Sequence, residues 1–175
     1  MTRKINIILF GIGNTGSALI NKVLKERKNL ILEQQLDIRF PVITNSTVAF
    51  YEKEGANFSW EANFIQFSIP FKMEDVLNYV YNNNLENIIA VDATDSTQLA
   101  ADYIQLIRSG FNIVSINETL AFLPDSFEKG IRFLAESNGV SHKFVTAAGR
   151  NKEAAADALF EGVLKVVERQ REIVL

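Results

Sequence analysis

Along this chain, short continuous runs of apolar residues alternate with longer stretches in which apolar positions recur at helical spacing, a rhythm of strands and helices. The run Ile7, Ile8, Leu9, Phe10 predicts a first strand covered on both faces. Leu19, Ile20, Val23 and Leu24 then fall on one face of a helix. Asp37 to Thr44, carrying Ile38, Phe40, Val42 and Ile43, predicts a second strand. Pro41 cannot donate to a ladder, so this strand is expected at a sheet edge, or irregular there. Residues 47 to 71 obey neither period: Phe58, Trp60, Phe64, Phe67 and Phe71 share no single face, and the segment reads as a loop with short elements. Met73, Val76, Leu77, Val80 and Tyr81 restore helical spacing until Asn82-Asn83-Asn84. Ile88 to Val91 predicts a short buried strand. Asp95 or Ser96 caps the next helix, whose inner face is Leu99, Ala100, Tyr103, Ile104 and Ile107 and which Gly110 closes. Phe111 to Ile116 is a strand. Pro124 opens a helix through Phe127, Ile131 and Leu134 that stops at Asn138-Gly139, and Val140 to Ala147 is a further strand. A long final helix starts near Lys152, with Ala155, Ala158, Leu159, Val163, Val166 and Val167 as its apolar stripe.

This alternation implies right-handed crossovers and an α/β fold with a mainly parallel, doubly wound sheet and a long C-terminal helix. Ligands in such sheets bind at the carboxyl ends of the strands. The first of those ends is Gly11-Ile12-Gly13-Asn14-Thr15-Gly16. A strand, a glycine turn and a helix in that order form the Rossmann-like arrangement that holds a dinucleotide pyrophosphate. Gly11 permits the tight turn, Gly13 lets the backbone approach the phosphates, and Gly16 lets the helix pack closely. The amides and positive dipole end of the helix then face the anion. The competing reading is a purely structural strand-to-helix turn. Thr44-Asn45-Ser46, Asp92-Ala93-Thr94-Asp95 and Asn117-Glu118-Thr119 fall at three other strand ends. Each is accounted for separately by turn chemistry and capping. Together with the glycine loop they are expected to ring one crevice.

Composition narrows the classes. The 175 residues suit a single domain spanning 1–175, and 47% hydrophobic content with 22% charge describes a globular chain. With no cysteine, a disulfide framework and a thiolate zinc site are excluded. A net charge of −3 gives no broad attraction to nucleic acid. No apolar stretch approaches the ~20 residues that cross a bilayer, and no signal-peptide core follows Arg3-Lys4, so no membrane association and a cytoplasmic location are expected.

Gly11-Ile-Gly13-Asn14-Thr15-Gly16, Ile43-Thr-Asn45-Ser46, Val91-Asp92-Ala-Thr94 and Gly110-Phe-Asn-Ile-Val114-Ser-Ile-Asn117 together resemble successive blocks of the nucleotide-binding domain of homoserine dehydrogenase, most of all the form fused to aspartate kinase. The resemblance covers roughly residues 4 to 147. It implies NAD or NADP as cofactor, an amino-acid biosynthetic setting, a pyrophosphate held by Gly11 to Gly16, Asn45 and Ser46 near the adenosine ribose, and cofactor contacts from Ala93, Thr94 and Asn117. Two departures stand out. The family usually has Asn-Lys where this chain has Asn117-Glu118, which reverses the local field. The family also continues through a Val-Gly-Ala-Gly-Leu-Pro segment into a catalytic substrate domain, whereas here Thr146-Ala-Ala-Gly149-Arg-Asn-Lys-Glu precedes one last helix.

Hydride transfer needs a group that takes the hydroxyl proton. His142, the only histidine, is expected on a strand face in a structural or exposed role, and Lys152 and Asp157 on a solvated helix face. No nucleophile with an adjacent base and no metal-ligand cluster follows from the spacing, so no catalytic residue is assigned. NAD sites commonly place an acid at the end of the second strand, and NADP sites an arginine; Asn45-Ser46-Thr47 offers neither. The leading expectation is an NAD(P)-binding relative without dehydrogenase activity of its own. The alternatives are a non-binding interaction module that dimerises or docks on a kinase or dehydrogenase, and an active oxidoreductase completed by another chain. The Val163, Val166, Val167 stripe needs a sheet or a partner to cover it, which makes a homodimer possible under each reading.

Overall fold

The computed structural model describes residues 1–146, 149 and 151–174, the last four by backbone alone. The chain order is β1 (Arg3–Phe10), α1 (Asn14–Gln34), β2 (Leu36–Thr44), β3 (Val48–Tyr51), α2 (Trp60–Phe67), β4 (Ile69–Pro70), α3 (Met73–Asn82), β5 (Ile88–Asp92), α4 (Thr97–Ala101), α5 (Tyr103–Arg108), β6 (Asn112–Ser115), a 3₁₀ turn (Glu118–Phe122), α6 (Asp125–Ser137), β7 (His142–Phe144) and α7 (Lys152–Val174). The strands form one sheet in the order β4-β3-β2-β1-β5-β6-β7. All neighbours from β2 through β7 run parallel, while β3 and β4 are added antiparallel on the β2 side.

Alternation along β1 sorts the two cores. Ile5, Ile7 and Leu9 face a layer with α1, α2 and α7, while Ile8 and Phe10 face the layer of α3, α4, α5 and α6. Both faces are thus covered, as a doubly wound sheet requires.

β2 is interior rather than at an edge, and the irregularity at Pro41 is real. Asn6 pairs with Arg39 and Ile8 with Val42, so β2 carries one extra residue at Phe40-Pro41. Pro41 sits where the ladder is already interrupted, so its missing N–H costs no regular bond. The extra residue also flips the parity of the strand: Ile38 and Phe40 join the α1 side, Val42 the opposite core, and Ile43 the α1 side again.

The segment 47 to 71 resolves into β3, α2 and β4. Only Trp60 and Phe64 of α2 are buried, while Phe58, Ile65 and Phe67 are exposed, which explains why no period shows. The helix after β5 is broken at Asp102 into α4 and α5, yet Leu99, Ala100, Tyr103 and Ile107 still face inward. The stripe of α7 is buried within the chain against α1 and the sheet, so it needs no second copy to cover it. The last strand is shorter than its apolar run suggests, and the end of that run, Ala147, lies outside the described residues. No described helix is long and apolar enough to cross a membrane.

Candidate functional site

The corner after β1 is built by backbone contacts. Gly11 adopts φ +100°, its N–H donates to Thr44 O at 2.9 Å, and Ala93 N–H donates to Phe10 O at 2.8 Å. A Cβ on Gly11 would lie 2.8 Å from both Ala93 O and Thr94 Cγ2, and one on Gly16 only 1.8 Å from Gly11 O. Those two glycines are fixed by the fold itself. Gly13 differs: among the described residues nothing lies within 4 Å of where its Cβ would be. Open space there is what a ligand lying against the backbone requires.

Gly13 is also the N-cap of α1. It has no side chain to satisfy the helix amides, no other described side chain caps them, and no acid occupies the first turn. Ser17 Oγ donates to Ile12 O at 2.6 Å, holding the turn from behind. A 21-residue helix therefore presents uncapped donors and the positive end of its dipole at this corner.

A crevice of about 360 Å³ opens beside it, lined by Gly11, by Asn45 and Ser46 after β2, and by Thr94, Asp95 and Ser96 after β5. Phe71 and Met73 form another wall; Phe71 packs on Phe10 with ring centroids 6.1 Å apart. Asn45 Oδ1 accepts from Thr47 N (2.9 Å), Thr47 Oγ1 (3.1 Å) and Val48 N (2.8 Å), so it shapes the β2–β3 turn, and its amide N–H₂ remains available. Thr94 donates from N and Oγ1 to Asp92 Oδ1 at 2.9 and 2.6 Å. A larger groove of about 850 Å³ lies at the opposite, amino end of the strands, near Asn87, Asn112 and Asn138, away from the glycine turn.

The structure brings Gly11, Asn45, Ser46 and Thr94 around one space, with Ala93 closing behind Gly11 and Ile12 packed toward the core. Asn14 and Thr15 begin α1; Asn14 lines a different groove, toward Lys152 and Asp157 of α7. Asn117 is not among the crevice residues. It is fully buried, its Nδ2 donates to Asp92 Oδ2 (2.9 Å) and Ser96 O (2.8 Å), and its Oδ1 accepts from Thr119 N and Oγ1. Its neighbour Glu118 is exposed at the start of the 3₁₀ turn.

Asn117 belongs to a buried network. Asp92 is 1% exposed and also accepts from the Tyr103 hydroxyl at 2.5 Å. Ser115 Oγ lies 2.7 Å from that hydroxyl and accepts from Asn117 N. Burial pushes the Asp92 carboxyl above the usual range, against the pull of hydrogen bonds from Thr94, Tyr103 and Asn117. Burial and the adjacent Asp92 hold the Tyr103 phenol well above its ordinary value, so it stays a donor.

His142 packs edge-on against Tyr103 at 5.5 Å, and its Nε2 is buried without a partner among the described residues. Burial lowers its pKa. Lys152 is exposed, and Asp157 pairs with Lys22 at 2.8 Å. No group of three metal-ligating side chains occurs among the described residues. Residues that sequence reasoning did not assign to the site are Phe71, Met73, Gln98, Leu99 and Asp102, all lining the crevice. Their approach depends on the β4–α3 junction and on the helix break at Asp102, neither of which leaves a periodic signal.

An uncapped helix at a glycine turn, beside a crevice at the carboxyl ends of parallel strands, defines a Rossmann-like dinucleotide-binding domain. Residues 11–144 match the family model "Homoserine dehydrogenase, NAD binding domain", and the chain belongs to that family. It is 27% identical over 148 residues to the bifunctional aspartokinase/homoserine dehydrogenase of Buchnera aphidicola, covering 84% of this chain and 18% of that protein. The chain therefore spans about a fifth of the length of the curated relatives it matches. Among solved structures, homoserine dehydrogenase of S. aureus superposes with TM-score 0.59 at 21% identity, over 82% of this chain and 32% of that one. A hyperthermophilic archaeal homoserine dehydrogenase in complex with NADPH gives TM-score 0.62 at 17% identity, over 83% and 44%.

Proposed function

We propose that this chain binds a nicotinamide dinucleotide, with the pyrophosphate against Gly11 to Gly16 and the adenosine in the crevice between Asn45-Ser46 and Thr94. The observation that carries this is the uncapped α1 N-terminus with clear space at Gly13, next to a crevice of about 360 Å³. The bound cofactor would supply hydride chemistry; the chain's own residues bind and orient it. Gly13 admits the phosphates, Asn45 and Ser46 offer donors to the ribose region, and Phe71 and Met73 give an apolar wall for a flat base.

These residues do not oxidise homoserine on their own in this reading. Proton transfer needs an acceptor positioned at the reacting carbon. His142 has its free nitrogen closed off from solvent, and Asn117 is spent on Asp92. Titration of NADH and NADPH by fluorescence tests the proposal, with Gly13→Asp as control. Saturable binding that the variant loses by tenfold or more supports it. Absence of binding at millimolar cofactor refutes it, and homoserine turnover by the purified chain refutes the statement about catalysis.

A further inference from the structure

The crevice carries a charge pattern that bears on which dinucleotide it admits, an inference that rests on the nucleotide-binding reading. Among the described residues its lining contains two carboxylates, Asp95 and Asp102, and no lysine, arginine or histidine. The β2–β3 turn is neutral, with Asn45, Ser46 and Thr47. The wall contributed by the β5–α4 loop and the break before α5 is therefore the acidic one, opposite the position where dinucleotide folds usually keep their ribose-reading acid.

Asp102 is placed there by the helix break. Its backbone is fully used: N–H donates to Leu99 O at 2.9 Å and O accepts from Leu106 N at 3.1 Å. Its carboxylate has no hydrogen bond and no ion pair among the described residues, although it is partly buried. Burial, with nothing to offset it, raises its pKa. Asp95 is exposed at the mouth and is likewise unpaired. Some carboxylates in this molecule are matched: Asp37 is held by Arg27 and Arg39, Asp157 by Lys22 and Glu128 by Arg132. The nearest chain cation by sequence is Lys72, between Phe71 and Met73, but it is exposed and outside the lining.

We infer that the crevice selects an adenosine with a free 2′-hydroxyl over one with a 2′-phosphate, with Asp102, aided by Asp95, as the discriminating residue. A hydroxyl can donate to a carboxylate. A 2′-phosphate cannot, and it adds about −1.5 to −2 charges at neutral pH to an acidic, partly desolvated wall. The pyrophosphate is exempt because the α1 dipole meets it. Selection here works by repelling the wrong ligand.

The test is calorimetric titration of NADH, NADPH, ADP and 2′,5′-ADP against the full chain and the Asp95→Asn/Asp102→Asn double variant. NADH is expected to bind about tenfold or more tightly than NADPH at low salt. The ADP pair should show the same order. Raising the salt narrows the gap, and the double variant reduces it to about threefold or less, chiefly by strengthening NADPH and 2′,5′-ADP. NADPH binding as tightly as NADH overturns the inference while leaving the binding site intact. So does a preference for NADH that the double variant leaves unchanged, or NADPH affinity that falls in Lys72→Ala. Failure of all four ligands to bind sinks the nucleotide reading itself.

Discussion

The strand ends of β1 and β5 lie side by side, and they treat their polar groups in opposite ways. After β5, every oxygen of Asp92 is taken: Thr94 donates twice to one, Tyr103 and Asn117 to the other. After β1, the first turn of α1 has no capping side chain among the described residues. One corner is closed by its own residues, and the other keeps backbone donors that no described side chain uses. The difference teaches that polar residues at a strand end are not interchangeable evidence for binding; what matters is how much of their hydrogen-bonding capacity the fold has already used.

The comparison breaks most visibly at the closed corner. Asp92→Ala strands the Tyr103 hydroxyl and the Asn117 amide in the interior, and is expected to cost about 3–5 kcal/mol in chemical denaturation. Gly16→Ala, which drives a methyl into Gly11 O, is expected to cost on the order of 3 kcal/mol or more. Gly13→Asp at the open corner should change stability by no more than about 0.5 kcal/mol while abolishing cofactor binding. That separation of stability from binding sharpens the contrast.

A pH series probes the closed corner from its far side. The His142 pKa is depressed by burial in the folded state, so between that value and about 6.5 the unfolded chain binds more protons. Stability from this group is complete above about pH 6.5 and is lost as pH falls through the folded value. His142→Gln should remove that part of the acid sensitivity, so the stability difference between the two proteins changes as pH falls below about 6.5. An unchanged difference between pH 7.5 and 5.5 would refute a buried neutral imidazole beside Tyr103. The smallest effect belongs to Lys22–Asp157, which ties α1 to α7 at the surface: Asp157→Ala should cost less than about 1 kcal/mol and shrink further with salt.

The parallel core was readable because burial on both faces leaves continuous runs such as Ile7 to Phe10, and because α3 and α6 keep a clean apolar face. The glycine turn was readable because backbone geometry demands Gly11 and Gly16 there. The region of β3, α2 and β4 was not, since edge elements expose part of their apolar residues, among them Ile65, Phe67 and Ile69. Pro41 suggested an edge strand or an irregular one; three-dimensional pairing decides for the irregularity, because one extra residue absorbs the missing donor. Asp102 was invisible as a crevice residue, since a helix interrupted for one residue keeps the same inward pattern as a continuous one. Asn117 shows the reverse: the residue type suits a ligand contact, while its environment has already assigned its bonds.

The short antiparallel ladders of β3 and β4 hang from one side of β2, and the Phe71–Met73 wall follows directly from them. These strands lie in the connection from β2 to β5 and pair only on the outer side of β2, so they make no ladder with β1 or β5. On the proposed dinucleotide reading, changes in these peripheral strands would alter the crevice wall while leaving the glycine corner after β1 in place.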